Sequence, residues 1–322
     1  PGTPLRAQAT AFGYSYVQEP PYEILGHRRL DFAALCRFKR YAELLERLWN
    51  SGLLRHALAA ITERHCGKRV CRVFDRLLEQ ADRLILAAGS RSELLNAIDA
   101  YEAVLGADAA NFSALTNLGH LYILLGAAYT ADRSEKIGHY ITARRYNERA
   151  MYTQPAFRKR VNDGEKPWEA CEALTQREVP AMFYWVTAVM YHFKEGMSLP
   201  GKVANKQWID WCGIFLHRIE AIDPDWGGGG VQFSLALYYG ILPKSLGGDR
   251  QRSDAYLARS IEIGPEWLIN RWGRAKYFHV RDGNKLDFEK DLQWVVAQNL
   301  QHAGGIYPWK VYFQRDAEQM LA

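Results

Sequence analysis

The sequence predicts an all-α fold, a tetratricopeptide-like bundle of helical repeats that encloses an apolar cavity. Three observations lead to this prediction. Apolar residues recur at the helical period of about 3.6 along almost every long segment, strand-like alternation is scarce, and aromatic residues make up 13% of the chain. A hydrophobic content of 48% supplies the apolar surface of a large core and excludes a disordered chain.

Each predicted helix is an amphipathic or apolar segment that ends at residues which stop a helix. In chain order the predicted helices cover residues 32–50, 53–64, 69–88, 91–105, 111–128, 137–153, 180–194, 206–221, 230–239, 250–263, 267–281, 288–301 and 309–322. Turn-forming pairs such as Asp223-Pro224 and Gly264-Pro265 mark several of the ends.

Two of these segments are long enough to be tested as membrane spans. Residues 109–131 and 226–243 contain no Asp, Glu, Lys or Arg. The first carries Asn111 and His120, however, and the second begins with four glycines after Trp226. We therefore predict helices that are buried among other helices of one protein.

The helices also follow a paired pattern. Leu118, Gly119 and Tyr122 stand at the spacing of the first helix in a tetratricopeptide repeat. Three predicted second helices share a small residue that is followed twelve positions later by proline. These pairs are Ala143 and Pro155, Cys212 and Pro224, and Ser253 and Pro265. We predict degenerate repeats over residues 91–322, with a helical N-terminal extension over residues 1–90.

Charge and cysteine content exclude several classes of function. The net charge of +5 is too small to indicate nucleic-acid binding, and no nucleic-acid partner is expected. The five cysteines contain no CxxC motif, so a thioredoxin-like redox site is not predicted. We expect buried free thiols, although the sequence also allows a disulfide between Cys66 and Cys71.

No segment carries a motif for catalysis, for a metal or for a cofactor, and none of these is predicted. Residues 196–203 match a P-loop until Val203 replaces the Ser or Thr that binds magnesium, so we predict a turn between helices. The motifs HExxH and GxSxG do not occur, and His120 is interpreted as a hydrogen-bonded core histidine. The glycines from Gly227 are predicted to bring the backbone close to Trp226 or to a ligand.

The aromatic residues are concentrated on a few predicted helices rather than spread evenly. Ordinary core packing explains many of them, but flat aromatic and Met side chains also suit an apolar ligand pocket with a few polar groups. The predicted ligand-binding residues are Tyr122, Met182, Tyr184, Trp185, Tyr191, His192, Trp226, Phe233, Leu237, Tyr238 and Trp272.

Four segments carry a resemblance to a known family. They are AIDAYEAVLGADAANFSALTN at 97–117, Tyr184-Trp185, Ile222-Asp223-Pro224, and the loop at 243–249 that ends in LGGD. These segments resemble the T component of tripartite ATP-independent periplasmic (TRAP) transporters, over about residues 97–300. The aromatic N-terminal extension and the 10 tryptophans make the chain similar to the related lipoprotein component of bacterial sterol transport.

The resemblance implies a non-enzymatic, periplasmic lipoprotein associated with the outer membrane, which works with a periplasmic binding protein. It implies an apolar cavity for a hydrophobic ligand such as a sterol. The chain begins at Pro1, so we expect a processed form, whose membrane association would run through a lipid anchor outside this sequence. The sequence leaves open whether the protein forms a homo-oligomer. The alternative is an interaction scaffold in which the aromatic residues are core and the partner is a periplasmic solute-binding protein.

Overall fold

The computed structural model describes residues 15–16, 24–26, 70–241, 244 and 247–322. Packing divides the chain into two units, Pro1–Ala81 with Asp99–Ala114, and Asp82–Ile98 with Leu115–Ala322. The helices predicted at 32–50 and 53–64 lie outside the described residues, and the domain boundary at residue 90 stays a prediction.

Helices account for nearly all of the described chain, as the sequence predicts. In chain order they are α1 (Val70–Ala87), α2 (Arg91–Ala107), α3 (Phe112–Tyr129), α4 (Arg133–Tyr152), α5 (Pro155–Asn162), α6 (Val179–Tyr191), α7 (Leu199–Ala204), α8 (Gln207–Ile222), α9 (Trp226–Ile241), α10 (Arg250–Ile263), α11 (Leu268–Gly273), α12 (Val280–Asp282), α13 (Lys285–Val296) and α14 (Tyr307–Leu321).

A short antiparallel ribbon departs from the all-α prediction. Strand β1 (Ser15–Tyr16) pairs with β2 (Ile24–Gly26) in an irregular register. Strands are recognised in a sequence by alternation over about four to eight residues, and these two are shorter than that.

Two short helices were not predicted. Helix α5 begins at Pro155, where proline suits the first helical turn, and the Gln154 side chain accepts a hydrogen bond from the Ala156 amide. Helix α7 begins after Ser198, whose hydroxyl accepts from the Gly201 amide. The residues that resemble a P-loop therefore form a capped, single-turn helix between longer helices, in place of the simple turn that was predicted.

Two segments of π-helix interrupt the regular helices that the sequence predicts at 180–194 and 267–281. His192–Gly196 follows α6, and Arg274–His279 follows α11. In a π-helix each hydrogen bond spans one residue more than in an α-helix, and such segments are frequent at functional sites. Apolar periodicity does not distinguish them from α-helix, so the sequence alone could not reveal them.

The glycines at the start of α9 allow a close approach of the backbone, and the neighbours that they meet are Trp267 and α10. Gly227, Gly228 and Gly229 have φ angles of 66°, 58° and 84°, so the regular helix starts only after them. A Cβ atom on Gly228 would overlap the Trp267 ring, and one on Gly229 would overlap the backbone of Ser260. The glycines thus let this segment lie directly against α10 and Trp267.

The small residues of the predicted repeat pattern are buried. Ala143, Cys212 and Ser253, the small residues of the predicted pattern, are all fully buried. The Ser253 hydroxyl donates to the Ala236 carbonyl at 2.7 Å, which joins α10 to α9. Cys212 and Cys171 are free and buried, as expected, whereas Cys36 and Cys66 and the side chain of Cys71 lie outside the described part.

Helix α9 and the part of α3 from Leu115 onward belong to the second unit and are buried there. Leu118, Leu121 and Leu124 of α3 are completely buried, as are Leu235 and Ala236 of α9. Within the described ranges, no helix combines the length and the apolar character that a membrane span requires.

Candidate functional site

A cavity of about 610 Å³ lies within the second unit. Its longest wall is one face of α6, which contributes Phe183, Tyr184, Thr187, Met190 and Tyr191. These residues stand at positions i, i+1, i+4, i+7 and i+8, the spacing that keeps side chains on one stripe of a helix. This spacing predicts that the five side chains face the same surroundings, and in the structure they all face the cavity.

Three more helices supply most of the remaining walls. Helix α9 contributes a second stripe, Gly230, Phe233, Ser234 and Leu237. Leu268, Ile269 and Trp272 of α11 and Trp309, Lys310 and Phe313 of α14 also line the cavity, and α7 and α8 contribute one residue each, Lys202 and Ile209. Because α11 and α14 are far from α6 in the chain, only the tertiary structure joins these stripes into one site.

One end of the cavity is a cluster of aromatic rings. The Trp226 ring lies 4.6 Å from Phe183 and 6.0 Å from Tyr184, measured between ring centroids, and it meets Tyr184 edge to face. The glycines that follow Trp226 bring the chain back to α10, so the indole is held beside the first turns of α6. This end offers large, flat, apolar surfaces to a ligand.

His120 supports this wall from behind. Its Nδ1 accepts a hydrogen bond from Trp309 Nε1 at 3.3 Å, its Nε2 lies 3.3 Å from Asn117 Oδ1, and its ring centroid lies 4.9 Å from that of Tyr184. The imidazole is fully buried, and burial lowers its pKa from 6.5 to about 3. A neutral His120 that donates through Nε2 satisfies both contacts, in agreement with the core histidine that the sequence predicts.

Two hydroxyl groups in the cavity wall have no hydrogen-bond partner in the part of the chain that the structure describes. Among the described residues, neither the Tyr184 hydroxyl nor the Ser234 hydroxyl makes a hydrogen bond within the protein, whereas Thr187 donates to the Phe183 carbonyl at 2.9 Å. Burial raises the pKa of Tyr184, so its phenol is a neutral donor. These hydroxyls are able to bind one polar group of an otherwise apolar ligand.

The other end of the α6 wall carries positive charge. Lys194 lies in the π-helical segment after α6; its Nζ donates to the Tyr277 hydroxyl at 3.1 Å and lies 4.8 Å from the centre of that ring. Burial lowers the pKa of Lys194, an effect that Glu195 opposes, although the side chain as a whole reaches solvent. Lys202 of α7 also lines the cavity.

Six of the predicted ligand-binding residues line the cavity. They are Tyr184, Tyr191, Trp226, Phe233, Leu237 and Trp272. Trp272 is fixed by its indole N–H, which donates to Asp316 Oδ2 at 2.8 Å, and Asp316 also pairs with Lys276 at 2.6 Å. The sequence prediction that these six residues share a site agrees with their positions, and their role in binding stays a prediction.

The other five do not line the cavity. Met182 is fully buried in the core, and the Trp185 indole N–H donates to Glu148 at 2.9 Å. His192 meets the Trp208 ring at 5.3 Å. Tyr122 stacks on Tyr146 at 5.7 Å, and Tyr238 covers Gly213. These side chains lie on other faces of their helices, a distinction that residue type alone does not make.

The sequence prediction also missed residues that the cavity contains. Met190 and Thr187 complete the stripe on α6, and counting seven residues on from Phe183 would have found Met190. No sequence signal pointed to Trp309, because α14 was not assigned to any repeat. Among the described residues, no group of three His, Cys, Asp or Glu side chains is arranged to hold a metal ion.

Comparison with known proteins gives two matches to family models. The model described as TRAP transporter T-component matches residues 91–322, a range that contains every residue of the cavity. A second model, described as a protein of unknown function (DUF4080), matches residues 10–102. No curated protein matches the chain.

Proposed function

The chain belongs to the TRAP transporter T-component family, and on that premise we propose that its cavity binds a rigid hydrophobic ligand, such as a sterol, for transfer. The family is periplasmic, non-enzymatic and associated with transport, and the T component associates with the periplasmic binding protein of the transporter. The ligand, its transfer and the position of the protein at the outer membrane are the parts that we propose.

The observation that carries the proposal is the cavity itself. A volume of about 610 Å³ lies within the range of about 300–1,000 Å³ that is typical of small-molecule sites. Its walls are mainly aromatic and aliphatic, and burying apolar ligand surface contributes about 25 cal/mol per Å². A flat, inflexible ligand loses little conformational freedom on binding, so most of this free energy is available for affinity.

The unpartnered hydroxyls support a ligand that has one polar group. A hydroxyl that is buried without a hydrogen bond costs roughly 1–3 kcal/mol, so an apolar ligand with one hydroxyl needs a partner in the wall. Tyr184 and Ser234 offer such partners. Tyr191 is less suited, because its hydroxyl interacts with Tyr312.

We further propose that the helix pairs around the cavity are degenerate tetratricopeptide-like repeats. The buried small residues Ala143, Cys212 and Ser253 support this interpretation, as does the contact of Gly119 with Asn147, where no Cβ could be placed. Repeat pairs of this kind expose one inner face, which here would be the cavity wall.

Binding of cholesterol to the purified protein tests the proposal. The variant Ser234→Phe should fill part of the cavity and abolish saturable binding, because the added ring occupies space that the ligand needs. Leu286→Phe is the matched control, since Leu286 is 78% exposed on α13 and an added ring there stays in solvent. Equal thermal stability of the two variants would show that the loss is local.

The scaffold alternative makes a different prediction for the same samples. If no sterol or other lipid binds while the periplasmic binding protein does, the protein is an interaction scaffold and the transfer proposal is wrong. If Ser234→Phe binds cholesterol as the wild type does, the ligand lies elsewhere and the assignment of the cavity fails.

A further inference from the structure

The cavity has chemically different ends. Tyr184 and Lys194 are ten residues apart along the same wall, which corresponds to about 15 Å at a rise of about 1.5 Å per residue. The Tyr184 end is aromatic and carries the neutral hydroxyl of Tyr184. The Lys194 end carries ammonium groups.

The two cationic side chains lie at the same end of α6. The ring of His192, just after α6, lies 5.3 Å from the ring of Trp208, near the start of α8. The segment from His192 to Trp208 therefore starts and ends at the C-terminal end of α6. It contains Lys194 and Lys202. Both lysines line the cavity.

Neither lysine has a carboxylate partner within the described part of the chain. The Lys202 ammonium makes no hydrogen bond or ion pair there, and the Lys194 ammonium meets only the hydroxyl and ring of Tyr277. The nearby acids are already bound: Glu195 accepts from Lys136 at 3.0 Å and from Tyr140 at 2.8 Å. Asp316, the other acid near Lys194, pairs with Lys276 and with an indole N–H.

This pattern differs from that of the other lysine in the cavity. Lys310 donates to the Ala303 carbonyl at 2.9 Å, so its ammonium is occupied by the protein. A cation beside an apolar cavity without a counter-ion gains free energy from any anionic group that a ligand brings. Two such cations at one end favour an anionic ligand group at that end.

The local backbone also distinguishes this end. Lys194 lies in one π-helical segment and Tyr277 in the other, and their contact joins the two segments. A π-helical turn changes the direction of the side chains that follow it, and such turns are frequent at functional sites. Here the turn in His192–Gly196 places a lysine where the preceding apolar stripe would continue.

We propose that the ligand is amphipathic and carries an anionic group, such as a carboxylate, against Lys194 and Lys202, with its apolar body against the aromatic end. This inference rests on the proposed function and narrows its ligand class from a neutral sterol to a steroid-like acid. A hydroxyl at the opposite end of such a ligand would bind the Tyr184 hydroxyl.

Two probes of equal shape and different charge test the inference, lithocholate and its methyl ester. The measured quantity is the ratio of their dissociation constants, from titration calorimetry at low ionic strength. The wild type should bind the acid about tenfold more tightly than the ester, since two partly exposed ion pairs contribute about threefold each. The preference should shrink in high salt, which screens exposed charges.

Variants assign the preference to the two lysines. In Lys194→Gln/Lys202→Gln the ratio should fall to about one, because glutamine retains a hydrogen-bond donor but not the charge. Lys285→Gln is the matched control, since Lys285 is exposed on α13 and should leave the ratio at about ten. A ratio of one in the wild type, or a preference that survives in the double variant, would overturn the inference. If the ester binds in either case, the proposed function stands; if neither probe nor cholesterol binds, both fail.

Discussion

The buried imidazole of His120 makes stability depend on pH in a way that can be calculated. Burial lowers its pKa from 6.5 to about 3, so the folded protein does not bind this proton at pH 5 while the unfolded chain does. A group whose pKa is lower in the folded state than in the unfolded state destabilises the fold as the pH falls below the unfolded value. The affected window therefore runs from about pH 6.5 down to about pH 3.

The magnitude follows from proton linkage. Each proton taken up only by the unfolded chain costs about 1.4 kcal/mol per pH unit. Integrated from pH 7 to pH 5 with the two pKa values, His120 should lower the free energy of unfolding by about 2 kcal/mol. The interval from pH 7 to pH 5 lies above the ordinary pKa values of Asp and Glu, which are about 3.9 and about 4.3.

The assay is guanidinium unfolding followed by circular dichroism, at pH 7 and at pH 5, for the wild type and for His120→Asn. Asparagine keeps an acceptor in reach of the Trp309 indole but has no titrating ring. The variant should be less stable at pH 7, because the contact with Tyr184 is lost. The stability difference between the two proteins should then narrow by about 2 kcal/mol at pH 5.

His302→Asn is the control, since His302 is exposed and its loss should give a pH profile parallel to that of the wild type. If the difference between the wild type and His120→Asn is the same at both pH values, the folded imidazole titrates normally. That result would refute the claim that His120 stays neutral in the folded protein.

Three further substitutions test the packing of the helices around the cavity. Gly229→Ala should destabilise the fold by more than about 2 kcal/mol in guanidinium unfolding, because it combines a left-handed φ of 84° with overlap of the Ser260 backbone. Gly227→Ala, with a φ of 66° and free space around its Cβ, should cost only about 1 kcal/mol, and equal losses would contradict this account. Asp291→Asn should cost about 2 kcal/mol in the same assay, since Asp291 is buried and binds Arg274 through two hydrogen bonds of 2.6 Å. Because Arg274 is partly exposed, this loss of stability should be smaller than that from breaking a fully buried ion pair. An unchanged unfolding midpoint would show that the Asp291–Arg274 pair does not stabilise the fold.

The helices were largely predictable because local patterns specify them. The predicted segment 250–263 is α10 to the residue, with Asp249 as its N-cap and Gly264 at its end. Helix α4 begins four residues earlier than predicted, because the Asp132 side chain accepts from the Glu135 amide and caps it there. Helix α7 was not predicted, because its six residues are too few to show an apolar period.

The candidate site was predictable only in part. Spacing alone predicts that Tyr184 and Tyr191 lie on the same face of α6, and both residues line the cavity. Trp185 is the next residue after Tyr184 and equally aromatic, yet it points about 100° away and meets Glu148. Aromatic content thus indicated the right helix, while the rotation of each side chain selected which residues reach the cavity.

The sequence by itself determined the helical class, most helix ends and the family, because period, caps and turn residues act between neighbours in the chain. The tertiary structure alone decided that α6, α9, α11 and α14 share one cavity and that Lys194 meets Tyr277 across 83 positions. It also decided which charges remain without a partner, since pairing depends on which side chains meet in space. The physical reason is that burial and electrostatics depend on all neighbours of a residue, and most of those neighbours are distant in sequence.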